Sequence, residues 1–401
     1  MYTDVYKKKY NQISGIILAL FITTNLYKIY LPNVFGVDLT LLLAVFCCFV
    51  IMLDLYFFKD IKSKYLIFAW SMVCFFYLFS YLYTPSISYS RQKLIEILVF
   101  NTLIICTSII VFNSEEGIKY FHKIIVAFGL VLLSSLIFSY NISNINGLIY
   151  VLRLNYLVYS RHLLLVSIIC MAKYLAISNL KMKAVYILLS MLCFYGILIS
   201  GARSTAIFLV LILLVFFNYN FKKTHSYYMI IIFLLIAGFL VGTSNLNVGE
   251  VAIERIKTID KNNDTYSRAN YLKVSFDIFK DKPFFGGGVG SYPIYFNNID
   301  EEDYPHNIIM EVIDETGLVG FSAFFFMLIL VIIKVKNRLE IYRKKKEYEM
   351  SFYEISLLLY IVMMVLFSSI GSARVMYSSI TILYCGGISS SKNSNYLKHK
   401  N

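Results

Sequence analysis

The stretch YPHNIIMEVIDETGLVGF, Tyr304 to Phe321, holds a histidine just ahead of a long apolar run. His306 is one of five histidines, with His122, His162, His225 and His399. Pro305 disfavours helical backbone in the residue before it, and Asn307 carries the short polar side chain that caps a helix. His306 is therefore expected at a helix start. The positive end of the helix dipole favours neutral imidazole there, the form that accepts a proton. Arginines supply the second chemical signal. SGAR places Arg203 between two apolar runs with almost no loop, and SAR does the same for Arg374. Arg161 lies at the edge of an apolar run, where a charge is costly and tends to be functional. The guanidinium fork matches phosphate oxygens. The plain alternatives are a capping histidine and arginines that reach toward lipid headgroups.

The elements that must position these residues follow from composition. The chain has 401 residues, 59% hydrophobic and 15% charged, with a mean hydropathy of +0.68. A soluble domain carries more charge. The apolar runs are continuous rather than alternating, so they read as membrane-crossing helices. The expectation is an all-α polytopic membrane protein with about twelve spans. They fall near 13–30, 39–58, 65–83, 94–112, 124–138, 157–177, 185–200, 206–217, 229–241, 318–333, 355–370 and 375–385. The whole chain, 1–401, reads as one membrane domain with one large loop, 242–317. Within that loop, TYSRANYLKVSFDIFKDKPF reads as an amphipathic helix stopped by Pro283. The glycine turn FFGGGVGSYP and the acidic NNIDEED follow.

Orientation comes from the lysines. Lys7–Lys9, KDIKSK, LKMK, Lys222 with Lys223, RKKK and Lys392, Lys398 and Lys400 all fall on one side. By the positive-inside rule that side is cytoplasmic and holds both termini. The formal net charge of +13 is then a topology signal, not a nucleic-acid surface. No small-residue cleavage site follows KKK, so the first run is expected to stay as an anchor. Seven of the nine arginines fall on the outer side: Arg91, Arg153, Arg161, Arg203, Arg255, Arg268 and Arg374. Positive charge placed against the topology rule points to an anionic ligand.

The remaining signals are weaker. Gly286–Gly290 lacks the Lys-Ser/Thr of a phosphate loop and reads as a turn with exposed N–H groups near an anion. Glu96 is expected to pair with Arg91 or Lys93, and Asp54 to be structural. The seven cysteines lie in or beside apolar runs and read as packing residues. No metal, cofactor or nucleotide motif is present in a fitting context, so none is expected.

ISGARSTAIFLVL, SRANYLKVSFDIFKDKPFFGGGVGSY, YPHNIIMEVIDETGLVGF and SARVMYSS, in that order, resemble the bacterial O-antigen ligase and polymerase superfamily. The resemblance covers roughly residues 200–379; the N-terminal half agrees only in hydropathy. It implies a metal-independent, membrane-embedded glycosyltransferase acting on undecaprenyl-diphosphate-linked glycans at the outer face of the bacterial cytoplasmic membrane. It implies that His306 is the general base and that Arg203, Arg268 and Arg374 hold the diphosphate. Arg161 and Arg91 are added from topology. Asn307, Glu315, Gly317, Gly320, Gly288 and Gly290 fall on its supporting motifs. A repeat-unit polymerase, with a chain-length regulator protein as a candidate partner, fits the compact glycine turn best. A ligase to lipid A core and a lipid-linked glycan transporter are the alternatives. The transporter lacks the expected inverted repeats.

Overall fold

The computed structural model describes residues 2–34, 36–57, 63–137, 142–145, 148–151, 154–220 and 264–386. In hydrocarbon only a helix satisfies its backbone within one segment, and the apolar runs fold accordingly. The helices are α1 Tyr2–Ile22, α2 Thr24–Tyr27, α3 Leu39–Phe57, α4 Lys64–Ser80 and α5 Ser88–Leu94. A π-helical turn, Ile95–Asn101, joins α5 to α6 Thr102–Phe112. Then come α7 Glu115–Ile137, α8 Tyr156–Ala176, α9 Leu180–Ile199 and α10 Arg203–Asn220. The last five are α11 Asp264–Asp281, α12 Tyr292–Asn297, α13 Ile308–Lys345, α14 Tyr348–Phe367 and α15 Arg374–Cys385. Among the described residues, strands are confined to two short antiparallel hairpins, Asn33–Val34 with Val37–Asp38 and Ile142–Ile145 with Leu148–Val151.

The chain is thus an all-α, multi-pass membrane protein. Among the described residues, seven helical stretches are long and apolar enough to cross a membrane, and Lys64–Ser80 and Arg203–Tyr219 are shorter apolar helices. The last expected run is a helix of 12 residues, well below the roughly 20 a span needs. The expected run at 229–241, the first part of the large loop and Arg255 lie outside the described residues, as does Arg153.

Helix α8 sits at the centre, buried around most of its circumference, and packs against α7, α9, α10 and α14. A helix apolar on all sides belongs in such a place. Helix α3 instead turns Leu41, Val45, Phe49 and Met52 outward, where lipid would cover them.

Helix α13 positions the site. Asn307 caps it, its side-chain oxygen accepting from Ile309 N at 3.0 Å and Met310 N at 3.2 Å. At Gly317 the backbone leaves helical geometry, with φ 66° and ψ −168°. The kink frees backbone N–H groups, and the segment after α11 takes them up: Leu318 N donates to Pro283 O and Val319 N to Phe284 O. A Cβ at residue 317 would run into the Phe284 carbonyl, so the position requires glycine on two counts.

Candidate functional site

His306 lies between Pro305 and the Asn307 cap, with φ 53°, a left-handed conformation that histidine adopts at modest cost. Its ring is exposed and stands edge-on to Tyr304, centroids 4.5 Å apart, and to Tyr271, 5.7 Å apart. Tyr271 belongs to α11 and packs on Phe296 of α12, while the Tyr292 hydroxyl donates to Tyr271 O at 3.2 Å. An aromatic shelf therefore backs the imidazole. Burial pushes the Tyr304 phenol upward, the Glu311 charge adds to this, and the Arg161 charge pulls it down.

Arg161 sits in the second turn of α8. Its Nη2 donates to Phe367 O and its Nη1 to Ser368 Oγ at 3.4 Å, so the connector between α14 and α15 fixes the guanidinium. Its Nε is buried and has no hydrogen-bond partner among the described residues. Arg374, at the start of α15, donates to Thr24 Oγ1 at 2.7 Å and lies over the rings of Phe21 and Phe100. Arg161 and Arg374 line one recess of about 70 Å³, with Asn25, His162, Tyr360 and Ser372. Ile22, Leu26, Val158, Met364 and Val375 also line it, so two cations share a small, mostly apolar recess.

The other arginines are placed differently. Arg203 opens α10 after the tight turn at Ser200–Ala202, and Ser160 Oγ lies 3.1 Å from Thr205 Oγ1, so the α10 start adjoins the Arg161 turn. Arg203 is exposed. Arg268 lies on α11, one turn before Tyr271; its side chain falls outside the described residues. Arg91 is exposed, bonds through Nε to Tyr81 Oη at 3.3 Å, and does not line the recess.

Two expectations are corrected. The glycine turn is buried and its N–H groups are already used. Gly287 N and Gly288 N donate to the Asp314 and Glu315 carbonyls, and Gly290 N to the Glu315 carboxylate at 2.8 Å. Gly288 and Gly290 have φ of 99° and 67°, and their backbones press on Thr84 and Ser90. The turn does receive an anion, but that anion is the chain's own Glu315. Nor does Lys93 pair with Glu96. Its ammonium lies 2.6 Å from both Glu311 Oε1 and Glu315 Oε1, all three side chains being 0–1% exposed. Glu96 faces Arg374 and packs against Gly371. Pairing beats sequence proximity because an unpaired buried charge costs several kcal/mol.

Gly320 also lies in α13, where an added Cβ would run into the Thr316 side chain. Asp300 fastens a second loop. Its carboxylate accepts from Ser86 Oγ at 2.6 Å and from the backbone N–H groups of Ile87, Ser88 and Tyr89. Burial alone would raise its pKa, but these four donors outweigh it and bring the group down to about 2.

The Lys93–Glu311–Glu315 cluster was not anticipated from the sequence. Its trace there is two glutamates four residues apart in one apolar-leaning helix and a lone lysine in another. Among the described residues, no three His, Cys, Asp or Glu side chains group as a metal site.

The described residues thus form a helical, multi-pass membrane bundle with a histidine at a helix start and a recess shared by Arg161 and Arg374. Residues 188–325 match the family model for O-antigen ligase. Members are glycosyltransferase-like membrane enzymes. No curated protein matches the chain. The matched stretch includes Arg203, Arg268, His306, Glu311 and Glu315; Lys93, Arg161 and Arg374 lie outside it.

Proposed function

We propose that this protein polymerises undecaprenyl-diphosphate-linked oligosaccharide repeat units at the outer face of the bacterial cytoplasmic membrane. The observation that supports this reading is the placement of exposed His306 at a helix start beside Tyr304, on the helix whose Glu311 holds the same 367–370 segment that Arg161 holds, while Arg161 and Arg374 share one recess. The acceptor hydroxyl oxygen attacks the anomeric carbon of the donor sugar. His306 takes the hydroxyl proton as the new glycosidic bond forms. The bond from the anomeric carbon to the phosphate oxygen breaks, and its electron pair leaves with undecaprenyl diphosphate. Negative charge grows on the diphosphate, and guanidinium groups of Arg161, Arg374, Arg203 and Arg268 stabilise it. The sugar arrives already activated, so the step draws on no nucleotide. Both termini are cytoplasmic in this reading.

The family description supports a second reading, in which the acceptor is a lipid A core sugar and the protein is a ligase. One experiment separates the readings: surface glycan length on cells carrying His306→Ala, with protein level checked by immunoblot. The polymerase reading expects long chains to vanish while single repeat units still reach the surface. Loss of all surface glycan with accumulation of lipid-linked polymer identifies the ligase. Wild-type glycan at normal protein level rejects His306 as the base and brings a lipid-linked glycan transporter forward.

A further inference from the structure

The connector 367–371, between α14 and α15, is fastened from several directions. Arg161 donates to Phe367 O and Ser368 Oγ. Asn101, at the end of the π-helical turn, donates to Ile370 O at 3.2 Å and Gly371 O at 3.1 Å, and Tyr377 Oη donates to Ile370 O at 2.8 Å. From the α13 side comes Glu311. Its Oε1 accepts from Ser369 Oγ at 2.7 Å and its Oε2 from Ile370 N at 2.9 Å, while Oε1 also takes the Lys93 ammonium at 2.6 Å. Glu311 lies four residues beyond the Asn307 cap, little more than one helical turn from the histidine.

From this geometry we infer that Glu311 is a positioning residue: it sets the connector, and the connector sets Arg161, so that one side chain ties the base to the arginine recess. The inference rests on the reading given under Proposed function. Three donors converge on the two oxygens of Glu311, and only a carboxylate accepts all three. A glutamine of the same shape must turn its NH₂ toward the Ile370 N–H, or toward Lys93 and Ser369, setting donor against donor. Either choice pushes the connector off α13 and moves the acceptors that hold Arg161. In a site that works by fixed geometry, a displacement near 1 Å costs about a hundredfold in rate.

A residue that merely holds the fold together lowers stability without being coupled to Arg161. The discriminating measurement is the affinity of the purified full-length protein for undecaprenyl diphosphate, in Glu311→Gln, Arg161→Ala and the double variant, alongside thermal melting. Affinity is expected to fall about tenfold in each single variant and no further in the double variant than in Arg161→Ala alone, since contacting residues couple and independent ones add. Ser369→Ala removes one donor without touching the buried ion pairs. It is expected to show the same non-additivity with Arg161→Ala at a smaller size, and serves if Glu311→Gln fails to accumulate. Wild-type affinity in folded Glu311→Gln or Ser369→Ala overturns the inference, and so does a double variant in which the two losses multiply. His306→Ala separates the two levels of argument. Retained affinity with lost transfer upholds the base. Retained transfer rejects the base while the Glu311–Arg161 coupling is still read from binding. No affinity in the wild-type protein overturns both.

Discussion

At the residue scale, the site depends on polar side chains that are already committed to partners. Asp300 gathers Ser86 and three backbone N–H groups, drawing the 86–89 turn to the segment that precedes the histidine. Its carboxyl is held at about 2, below the ordinary 3.8, so its ionised form stabilises the folded chain. A depressed pKa gives stability that is complete above the unfolded value and is lost as pH falls through the folded one. Melting of the detergent-solubilised protein should therefore weaken between about pH 4 and pH 2. Asp300→Asn should lack that component and be less stable at neutral pH by about 1–3 kcal/mol, as expected for hydrogen bonds to a charged group. An unchanged acid-side melting profile in Asp300→Asn would contradict this. His306, Arg161 and Arg374 were legible as residues because each breaks a local rule: a base at a helix start, or a charge against the topology. The partners of Lys93 were not, since Glu96 is near in sequence while Glu311 and Glu315 are near only after α5 meets α13.

At the element scale, the helix start at Asn307 was legible, its side-chain oxygen capping α13. Asn155 and Asn179 cap α8 and α9 in the same way, and α9 begins at Leu180, five residues before the expected run. The kink was not legible, because ETGLVG reads as one uninterrupted helix entering a span. Its cause lies in another segment, the Pro283 and Phe284 carbonyls that accept from Leu318 and Val319. The glycine turn was read correctly as a turn, but the owner of its N–H groups depends on where α13 lies. Gly317→Ala should therefore destabilise the protein by about 3 kcal/mol or more, the strained backbone alone contributing roughly 1–3 kcal/mol. The readout is the yield and melting temperature of the solubilised protein; a variant that accumulates and melts like wild type would show that the kink tolerates a Cβ.

For the whole molecule, the lysine distribution and the location of the site make one joint claim: His306 and the RKKK end of α13 face opposite sides of the membrane. In a variant lacking the native cysteines, Asn297→Cys should react with a membrane-impermeant maleimide on intact cells. Lys346→Cys should react only after permeabilisation. The reverse pattern would invert the proposed orientation. The general architecture was legible because hydropathy alone requires helices in lipid. The number of crossing helices was less so, because a 12-residue apolar helix such as α15 resembles a span in composition and falls short of one in length.

The length of α13 fixes a depth. From Gly317 to Lys334, where exposed charged residues begin, the helix rises about 26 Å, close to the roughly 30 Å of bilayer hydrocarbon. With Lys334 and Lys336 among the headgroups of one leaflet, Gly317 lies near the far boundary. The buried Lys93, Glu311 and Glu315 then sit level with phosphate groups instead of at mid-membrane. The straight part of the helix acts as a ruler. In the proposed function, it sets the histidine near the height of a lipid's diphosphate while the hydrocarbon tail stays below.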